Sequence, residues 1–440
     1  MNRRTDQARD RSVRPTDLHD LRLLLVAPTI DSSDVGESWV AYQWAAHLSE
    51  RFDTTVLTYR KRGRPSAVAQ LPHARVVEWM EPRGLGRAER LNSLAKPAYV
   101  PFHWHARRWI RDALARGERF DVAHQPLPVA MRYPSPLAGF DIPFILGPVG
   151  GSLGSPSGFE DGDTAPWYVG LRRIDPWRLR HDWLLRRTYT DASIVLGIAP
   201  YVADALSDVP VRDLRMMPET ALDVLPEWRP VRHGPTIHLL FVGRLVRTKG
   251  AREAIRAMAL LREHDVVLDV VGDGFDRGEC ERLAAELDLK GRVRFHGART
   301  RAEVEQFYRA ADVFVFPSFR EPGGNVVFEA MGHHLPVVTC DRGGPGAAVD
   351  DTCGIRVPVH SPDQLVRDLA EALTSLILDP ALRTSMGTAA RSRVERVGLW
   401  TGKVDAICDL YASICREPDG PGRPTTLQPQ RPTGVRSSSQ

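Results

Sequence analysis

The sequence predicts an α/β protein made of two Rossmann-like, doubly wound domains that face each other across a cleft. Short apolar runs alternate with longer amphipathic stretches, which is typical of parallel strands connected by helices. The alternation stops at a polar stretch near the middle of the chain and then begins again. The length of 440 residues is also about three times that of the commonest single domain. Two cores are therefore expected.

The predicted strands fall into two groups. The first is LRLLLVAP, TTVLTY, FDVAH, IPFILGPV and ASIVLGIAP, and the second is IHLLFVG, VVLDVVG, VRFHG, VFVFP and LPVVT. Both ends of the chain have too few apolar groups to offset the entropy of an ordered chain. In order, we expect a disordered tail (1–19), a first domain (20–222), a linker (223–235), a second domain (236–396), a helix packing back on the first domain (397–415) and a disordered tail (416–440).

Composition excludes several classes of protein. The chain is 42% hydrophobic and 26% charged, as in ordinary globular proteins, and a net charge of +4 does not require a nucleic-acid partner. The five cysteines include no C-x-x-C pair, which favours buried cytosolic thiols over a disulfide framework or a zinc site. No apolar segment of signal-peptide or membrane-spanning length follows the N-terminal arginines, so a cytoplasmic location is expected.

Two cations follow the first predicted strand of the second domain. In LLFVGRLVRTKG the strand ends at Gly243 and is followed by Arg244, Lys249 and Gly250. An arginine can hold a diphosphate bidentately and a lysine adds a point charge, while glycines let the backbone approach closely. The alternative is an ordinary solvated loop.

A second segment, VFVFPSFREPGGNVVFEAM, predicts an anion site at the start of a helix. Gly323 and Gly324 allow tight turning before a helix that should begin near Asn325, and the free N–H groups of such a helix attract phosphate. Glu321 and Glu329 flank this site and would repel a phosphate that they faced. We therefore expect both to accept hydrogen bonds from hydroxyls, Glu329 from a ribose and Glu321 from a second sugar.

The E-x7-E spacing of Glu321 and Glu329, the G-R-x4-K run starting at Gly243 and the segment PVVTCDRGGPG resemble the retaining glycosyltransferases of the GT-B fold, of the family-four type. The N-terminal half resembles one branch of that family through FDVAH at 120–124 and IPFILGPVGGSLGSP at 142–156. The resemblance covers roughly residues 21–412. It implies that the first domain binds an acceptor and the second a nucleotide diphosphate sugar.

The resemblance implies sugar transfer to an acceptor hydroxyl with retention at the anomeric carbon, without a metal or a resident cofactor. Arg244 and Lys249 would bind the donor diphosphate, and His124 would approach the reacting sugar. The alternatives are a structural histidine at His124 and a simple tight turn at Gly36. The implied catalytic residues are His124, Arg244, Lys249 and Glu321, and the implied substrate-binding residues are Gly36, Gly243, Gly323, Gly324, Asn325, Val326 and Glu329.

Three other functions fit parts of the sequence. An α/β-hydrolase would use Ser152 in the G-x-S-x-G segment 150–154, although turn residues follow it where a helix is needed. A dinucleotide-dependent oxidoreductase would use the glycines of 270–274, but Arg277 stands where the third glycine belongs. A non-catalytic nucleotide-sugar-binding protein would need only the motifs of the second domain.

Residues 171–187 combine arginines with Trp177 and Trp183 at helical spacing. A helix with one basic and one apolar face suits peripheral contact with an anionic membrane surface. The alternative is a face packed on the protein's own core, with the arginines in solvent.

Overall fold

The computed structural model describes residues 20–34, 36–83, 96–151, 153–156, 158–159, 174–227 and 235–416. Within them, two parallel sheets form the centres of two domains, so the predicted pair of doubly wound α/β domains is confirmed. The predicted tail at 1–19, residues 417–440 of the other tail and residues 228–234 of the predicted linker lie outside the described residues.

The first sheet has the strand order β3-β2-β1-β4-β5-β6-β7, and all adjacent strands are parallel. Its strands are β1 (Arg22–Thr29), β2 (Asp53–Arg60), β3 (Ala74–Met80), β4 (Val122–Gln125), β5 (Phe144–Val149), β6 (Ile194–Gly197) and β7 (Leu214–Met216). The described helices of this domain are α1 (Glu37–Ser49), α2 (Ala67–Gln70), α3 (Tyr99–Ala115), α4 (Asp175–His181), α5 (Trp183–Asp191) and α6 (Tyr201–Ala205).

The second sheet has the order β10-β9-β8-β11-β12-β13 and is also parallel throughout. Its strands are β8 (Ile237–Val242), β9 (Val266–Val271), β10 (Val293–Gly297), β11 (Val313–Phe316), β12 (Val337–Cys340) and β13 (Gly354–Val357). The helices that follow β8 are α7 (Ala251–Leu260), α8 (Arg277–Glu286), α9 (Arg301–Ala310), α10 (Asn325–Gly332), α11 (Gly343–Ala348), α12 (Pro362–Leu378), α13 (Pro380–Val397) and α14 (Trp400–Arg416).

The strand order fixes where a ligand can bind. In each sheet the order reverses beside the first strand, between β1 and β4 and between β8 and β11. Open parallel sheets bind ligands at this reversal, outside the carboxyl ends of the strands. The central strands are buried on both faces, which is why β11 and β12 are unbroken apolar or β-branched runs with no polar alternation.

The last helix, α14, crosses back to the first domain. Trp400 and Tyr411 are fully buried in the hydrophobic core of that domain. The chain leading into α14 pairs with Leu222, whose N–H donates to Gly398 O at 2.7 Å and whose carbonyl accepts from Trp400 N at 3.0 Å. The C-terminal segment therefore ties the second domain to the first.

Two further features of the described residues bear on the expectations above. All five cysteines carry free thiols, and Cys280, Cys340 and Cys353 are buried. Across the described ranges, no helix is both long enough and apolar enough to cross a membrane.

His124 does not face the cleft, so its predicted approach to the reacting sugar is wrong. The side chain is fully buried under α14, with Nδ1 at 2.7 Å from the Tyr411 hydroxyl and Nε2 at 2.7 Å from the Gly147 carbonyl oxygen. Since a carbonyl only accepts, Nε2 carries the proton and Nδ1 accepts from Tyr411. Burial lowers the pKa of His124 to about 4, so the ring is a neutral structural group.

His124 makes the free energy of unfolding depend on pH. Its pKa is about 4 in the folded protein against an ordinary value of 6.5, so the unfolded chain binds the proton more readily. This stabilisation is complete above pH 6.5 and is lost as the pH falls towards 4, by about 2 kcal/mol at pH 5. His103 and His333 act in the same direction because burial lowers their pKa values too. Urea unfolding of His124→Asn should show a shallower fall in stability between pH 7 and pH 5 than the wild type.

The control is His73→Asn, since His73 is exposed. It should leave the pH dependence of unfolding unchanged. Equal slopes for His124→Asn and the wild type would contradict the assignment of a buried, neutral His124.

Candidate functional site

A cavity of about 240 Å³ lies between the carboxyl ends of the two sheets. The first domain contributes the loops after β1 and β7, and the second contributes the loops after β8 and β11. It is lined by Gly36, Val40, Glu219, Thr220, Gly243, Arg244, Lys249, Phe316, Glu321, Gly323, Gly324, Asn325 and Val326. The structure thus brings together the two motifs of the second domain and the predicted Gly36 loop.

Lys249 reaches the cavity because two loops of the second domain are held together. It ends a single 3-10 turn, Arg247–Lys249, and is followed by Gly250 at a φ of 77°. A Cβ at Gly250 would lie 2.0 Å from the Pro317 carbonyl oxygen, so only glycine fits there. Ser318 Oγ also donates to Thr248 O at 2.9 Å. These contacts place the Lys249 ammonium in an ion pair with the Glu321 carboxylate.

Two cationic side chains in the cavity lining, Arg244 and Lys249, favour the binding of an anion. Burial lowers the pKa of Lys249 to about 8, and the nearby Arg244 guanidinium acts in the same direction. An anion placed between these two cations would reverse that shift, because it would stabilise the charged ammonium. Arg244 is exposed at the cavity, where its guanidinium can meet a ligand from solvent.

The start of α10 faces the same cavity. Gly324 precedes the helix with a φ of 91°, and Asn325 is its first residue. The Asn325 side chain is held from the other domain by the Thr220 hydroxyl. Gly344 N donates to Glu321 O at 3.0 Å, which fixes the loop before the helix. The first N–H groups of a helix lack partners within it and, with the helix dipole, favour an anion here.

The two motif carboxylates have different surroundings. Glu321 lines the cavity and is paired with Lys249. Glu329 lies one turn into α10, outside the cavity lining, and accepts a hydrogen bond from the Tyr308 hydroxyl at 3.0 Å. Tyr308 is itself buried and stacks on His333 with ring centres 5.4 Å apart. The sequence reasoning missed this tyrosine, which fixes the carboxylate of Glu329.

The Gly36 loop of the first domain closes the opposite side of the cavity. Gly36 has a φ of 78° and precedes α1. A Cβ built on this glycine would have no neighbouring atom within 4 Å. The next residue, Glu37, forms an ion pair with Lys96. The positive φ requires a glycine for the turn, and the open space beside it leaves room for a ligand.

The structure does not support the rival enzymes. Ser152 lies outside the described residues, and residues 153–156 after it are not helical, as a nucleophile elbow would need. Phe159, a little further on, packs on Phe319 of the second domain with ring centres 4.3 Å apart. At the supposed dinucleotide loop, a Cβ at Gly272 would lie 1.9 Å from the Gly243 carbonyl oxygen. That glycine allows close packing of two loops.

Sequence reasoning also missed Glu219, which lines the cavity from the loop after β7. Burial raises the pKa of Glu219 to about 7, with the charge of Glu37 adding to the shift. Its backbone carbonyl accepts a hydrogen bond from Lys403 Nζ at 2.7 Å. The only signal in the sequence is a proline, Pro218, before an acidic residue. Strand β7 has only three residues and is largely exposed, so no apolar run marks its end.

Comparisons with known proteins agree with this geometry. Residues 229–393 match the family model "Glycosyl transferases group 1". The chain is 35% identical over 189 residues to D-inositol 3-phosphate glycosyltransferase of Streptomyces bingchenggensis, covering 40% of each chain. It is 33% identical over 177 residues to the lipopolysaccharide core biosynthesis glycosyltransferase LpsE of Rhizobium meliloti, covering 40% of this chain and 48% of the relative. These matches span less than half the length of the curated relatives.

Solved structures match over nearly the whole chain. Sucrose-phosphate synthase of Thermosynechococcus elongatus superposes with a TM-score of 0.62 and 20% identity, covering 90% of this chain and 99% of that one. Anabaena HepE, solved with UDP and glucose, gives a TM-score of 0.55 and 17% identity, covering 89% and 100%. The fold is therefore GT-B. The match to the glycosyl transferases group 1 model falls on the second of the two domains.

Proposed function

We propose that this protein is a retaining, metal-independent glycosyltransferase that moves a sugar from a nucleotide diphosphate sugar to an acceptor hydroxyl. One observation carries the proposal: Arg244, Lys249 and the N-terminus of α10 converge on one cavity between the two domains. Two side-chain cations and a helix start suit a diphosphate better than any neutral ligand.

The ion pair between Lys249 and Glu321 suggests how the donor binds. A diphosphate entering the cavity competes with Glu321 for the Lys249 ammonium, because both are anions. Once released, Glu321 accepts hydrogen bonds from hydroxyls of the transferred sugar. Glu329, held by Tyr308, accepts from the ribose, and the amides of Gly323 to Val326 contact phosphate.

The chemistry follows from stabilising the leaving group. The bond between the anomeric carbon and the diphosphate oxygen breaks, and the acceptor oxygen bonds to that carbon from the same face. The acceptor's proton passes to the departing diphosphate. Arg244 and Lys249 neutralise the charge that develops on the diphosphate, a role that a divalent cation plays in other transferases. Fixed charges of this kind contribute on the order of a hundred- to a thousand-fold in rate.

The first domain would supply the acceptor site. Relatives named for D-inositol 3-phosphate and for the lipopolysaccharide core make polyhydroxylated acceptors the first to test, and the UDP-glucose complex of Anabaena HepE does the same for UDP-sugar donors. A non-catalytic binding protein would not need the acceptor side of the cleft, where Gly36 lines the cavity.

We also propose a cytoplasmic protein that contacts the inner face of the membrane through α4 and α5. Trp177 and Trp183 are 63% and 69% exposed, so these large rings do not pack on the core. Arg178, Arg180 and Arg186 lie on the same two helices. Exposed indole rings beside arginines suit the interface of an anionic bilayer. Residues 171–173 of the predicted segment lie outside the described residues.

The donor site predicts stabilisation of the protein by nucleotides. A panel of UDP-, GDP-, ADP- and dTDP-sugars should raise the midpoint of thermal unfolding for at least one base, since a ligand at a hundred times its Kd adds about 2.7 kcal/mol. Arg244→Ala should weaken binding about tenfold or more by removing a charge-assisted contact, and the shift at a fixed concentration should shrink accordingly. The exposed Arg294 provides a matched control, and Arg294→Ala should keep the full shift. No shift with any nucleotide would contradict the donor site.

The membrane contact predicts a charge-dependent distribution. Replacing Arg178, Arg180 and Arg186 by glutamine should lower binding to vesicles rich in anionic lipid by at least about tenfold, and should move the protein from the membrane to the soluble fraction of cells. The control removes the same charge elsewhere, as Arg299→Gln just before α9 with Arg301→Gln and Arg309→Gln within it. An unchanged distribution of the first variant would overturn the proposed contact.

A further inference from the structure

We infer that Glu219 is a sugar-recognising carboxylate of the donor site, supplied by the first domain. This inference rests on the proposed function, because it assigns part of the sugar's recognition within the same cavity. Glu219 lies in the loop after β7, outside both sequence motifs of the second domain.

The Glu219 carboxylate lies inside the proposed donor site. Glu219 lines the 240 Å³ cavity together with Arg244 and Lys249. Its Oε2 lies beside Gly323, since a Cβ built on that glycine would be 2.9 Å away. Glu219 therefore reaches across the cleft to the loop that precedes the helix start of α10. A sugar attached to a diphosphate at that helix start would come next to this carboxylate.

The Glu219 carboxylate is also available to a ligand, unlike the neighbouring carboxylates. Glu321 is paired with Lys249, and Glu37 is paired with Lys96. Within the described part of the chain, the Glu219 side chain has no ion pair or hydrogen bond, although its surroundings raise its pKa. A carboxylate enclosed in this way and without a partner is costly, which a ligand that donates hydrogen bonds would relieve.

The loop that carries Glu219 is held in place by α14. Lys403 Nζ of α14 donates to the Glu219 carbonyl oxygen at 2.7 Å. The same ammonium lies 4.8 Å from the ring centre of Trp44 and 4.5 Å from that of Trp400. Lys403 thus bonds the backbone of Glu219 and leaves the carboxylate free to point elsewhere. A preorganised acceptor group costs little conformational entropy when the ligand binds.

The chemistry of the cavity selects the ligand group. A carboxylate repels phosphate, so Glu219 cannot share the diphosphate with Arg244 and Lys249. Sugar hydroxyls are neutral donors and suit a carboxylate acceptor. Glu219 also borders a second cavity of about 660 Å³, which shares Thr220 and Gly323 with the first. The carboxylate therefore stands where the transferred sugar would leave the donor cavity.

The test compares a nucleoside diphosphate with its hexose-linked form. Both Kd values are measured by titration calorimetry for the nucleotide that stabilises the wild type best, for example UDP and UDP-glucose. Glu219→Gln should raise the Kd of the sugar nucleotide about tenfold and leave the Kd of the nucleoside diphosphate within about twofold, because a charge-assisted hydrogen bond to the sugar alone is lost. The control Glu263→Gln changes an exposed carboxylate elsewhere and should alter neither value.

A second variant, Gly323→Ala, tests the role of Glu219 even if Glu219→Gln does not fold. Gly323→Ala keeps the charge of Glu219 but places a methyl group against its Oε2, which must move aside. It should weaken the sugar nucleotide more than the nucleoside diphosphate. When Gly323→Ala is combined with Glu219→Gln, the extra rise in the Kd of the sugar nucleotide should largely disappear, because the carboxylate that the methyl group displaces is no longer present.

The outcomes separate this inference from the proposed function. If the wild type binds no nucleoside diphosphate, the assignment of the cavity as a donor site is wrong, and the role assigned to Glu219 is wrong as well. If nucleotides bind, and Glu219→Gln weakens both ligands equally or neither, the donor site stands and Glu219 does not recognise the sugar.

Discussion

The arrangement of the cleft depends on the close approach of two loops in the second domain. Gly250, with a positive φ, packs so tightly on the Pro317 carbonyl that no side chain fits between them. This contact places Lys249 at the carboxyl end of β8 beside Glu321 at the end of β11, the two strands that flank the reversal of the sheet order. The Lys249 ammonium is largely buried and is paired with one carboxylate, that of Glu321. A phosphate can replace this carboxylate as the partner of the ammonium.

The helix α14 holds the two domains together. Its Trp400 and Tyr411 complete the core of the first domain, and its Lys403 bonds the backbone of Glu219. Tyr411 also donates a hydrogen bond to Nδ1 of His124, whose tautomer is fixed by the Gly147 carbonyl. The helix α14, which follows the second domain in the sequence, thus holds the loop of the first domain that carries the Glu219 carboxylate. Relative movement of the domains would therefore change the surroundings of Glu219 and of the cations together.

The strands with unbroken apolar runs, such as β11 and β12, could be predicted from the sequence, as could the loops that carry Arg244, Lys249 and Glu321. The strands β3, β7 and β13 could not, because edge strands are short or half exposed and have no continuous apolar run. The family resemblance placed His124 beside the reacting sugar, and nothing in the nearby sequence showed that α14 covers it. Glu219 was missed for the same reason, since only the tertiary fold brings its loop to Gly323.

The proposed donor site places a diphosphate between Arg244, Lys249 and the start of α10. A crystal structure of the protein with a bound nucleoside diphosphate would test this placement directly. We expect phosphate oxygens within hydrogen-bond distance of Arg244, Lys249 and the amides at the start of α10, with the ion pair between Lys249 and Glu321 opened. A diphosphate bound elsewhere, or bound there with that ion pair intact and Arg244 uninvolved, would contradict this assignment of the donor site.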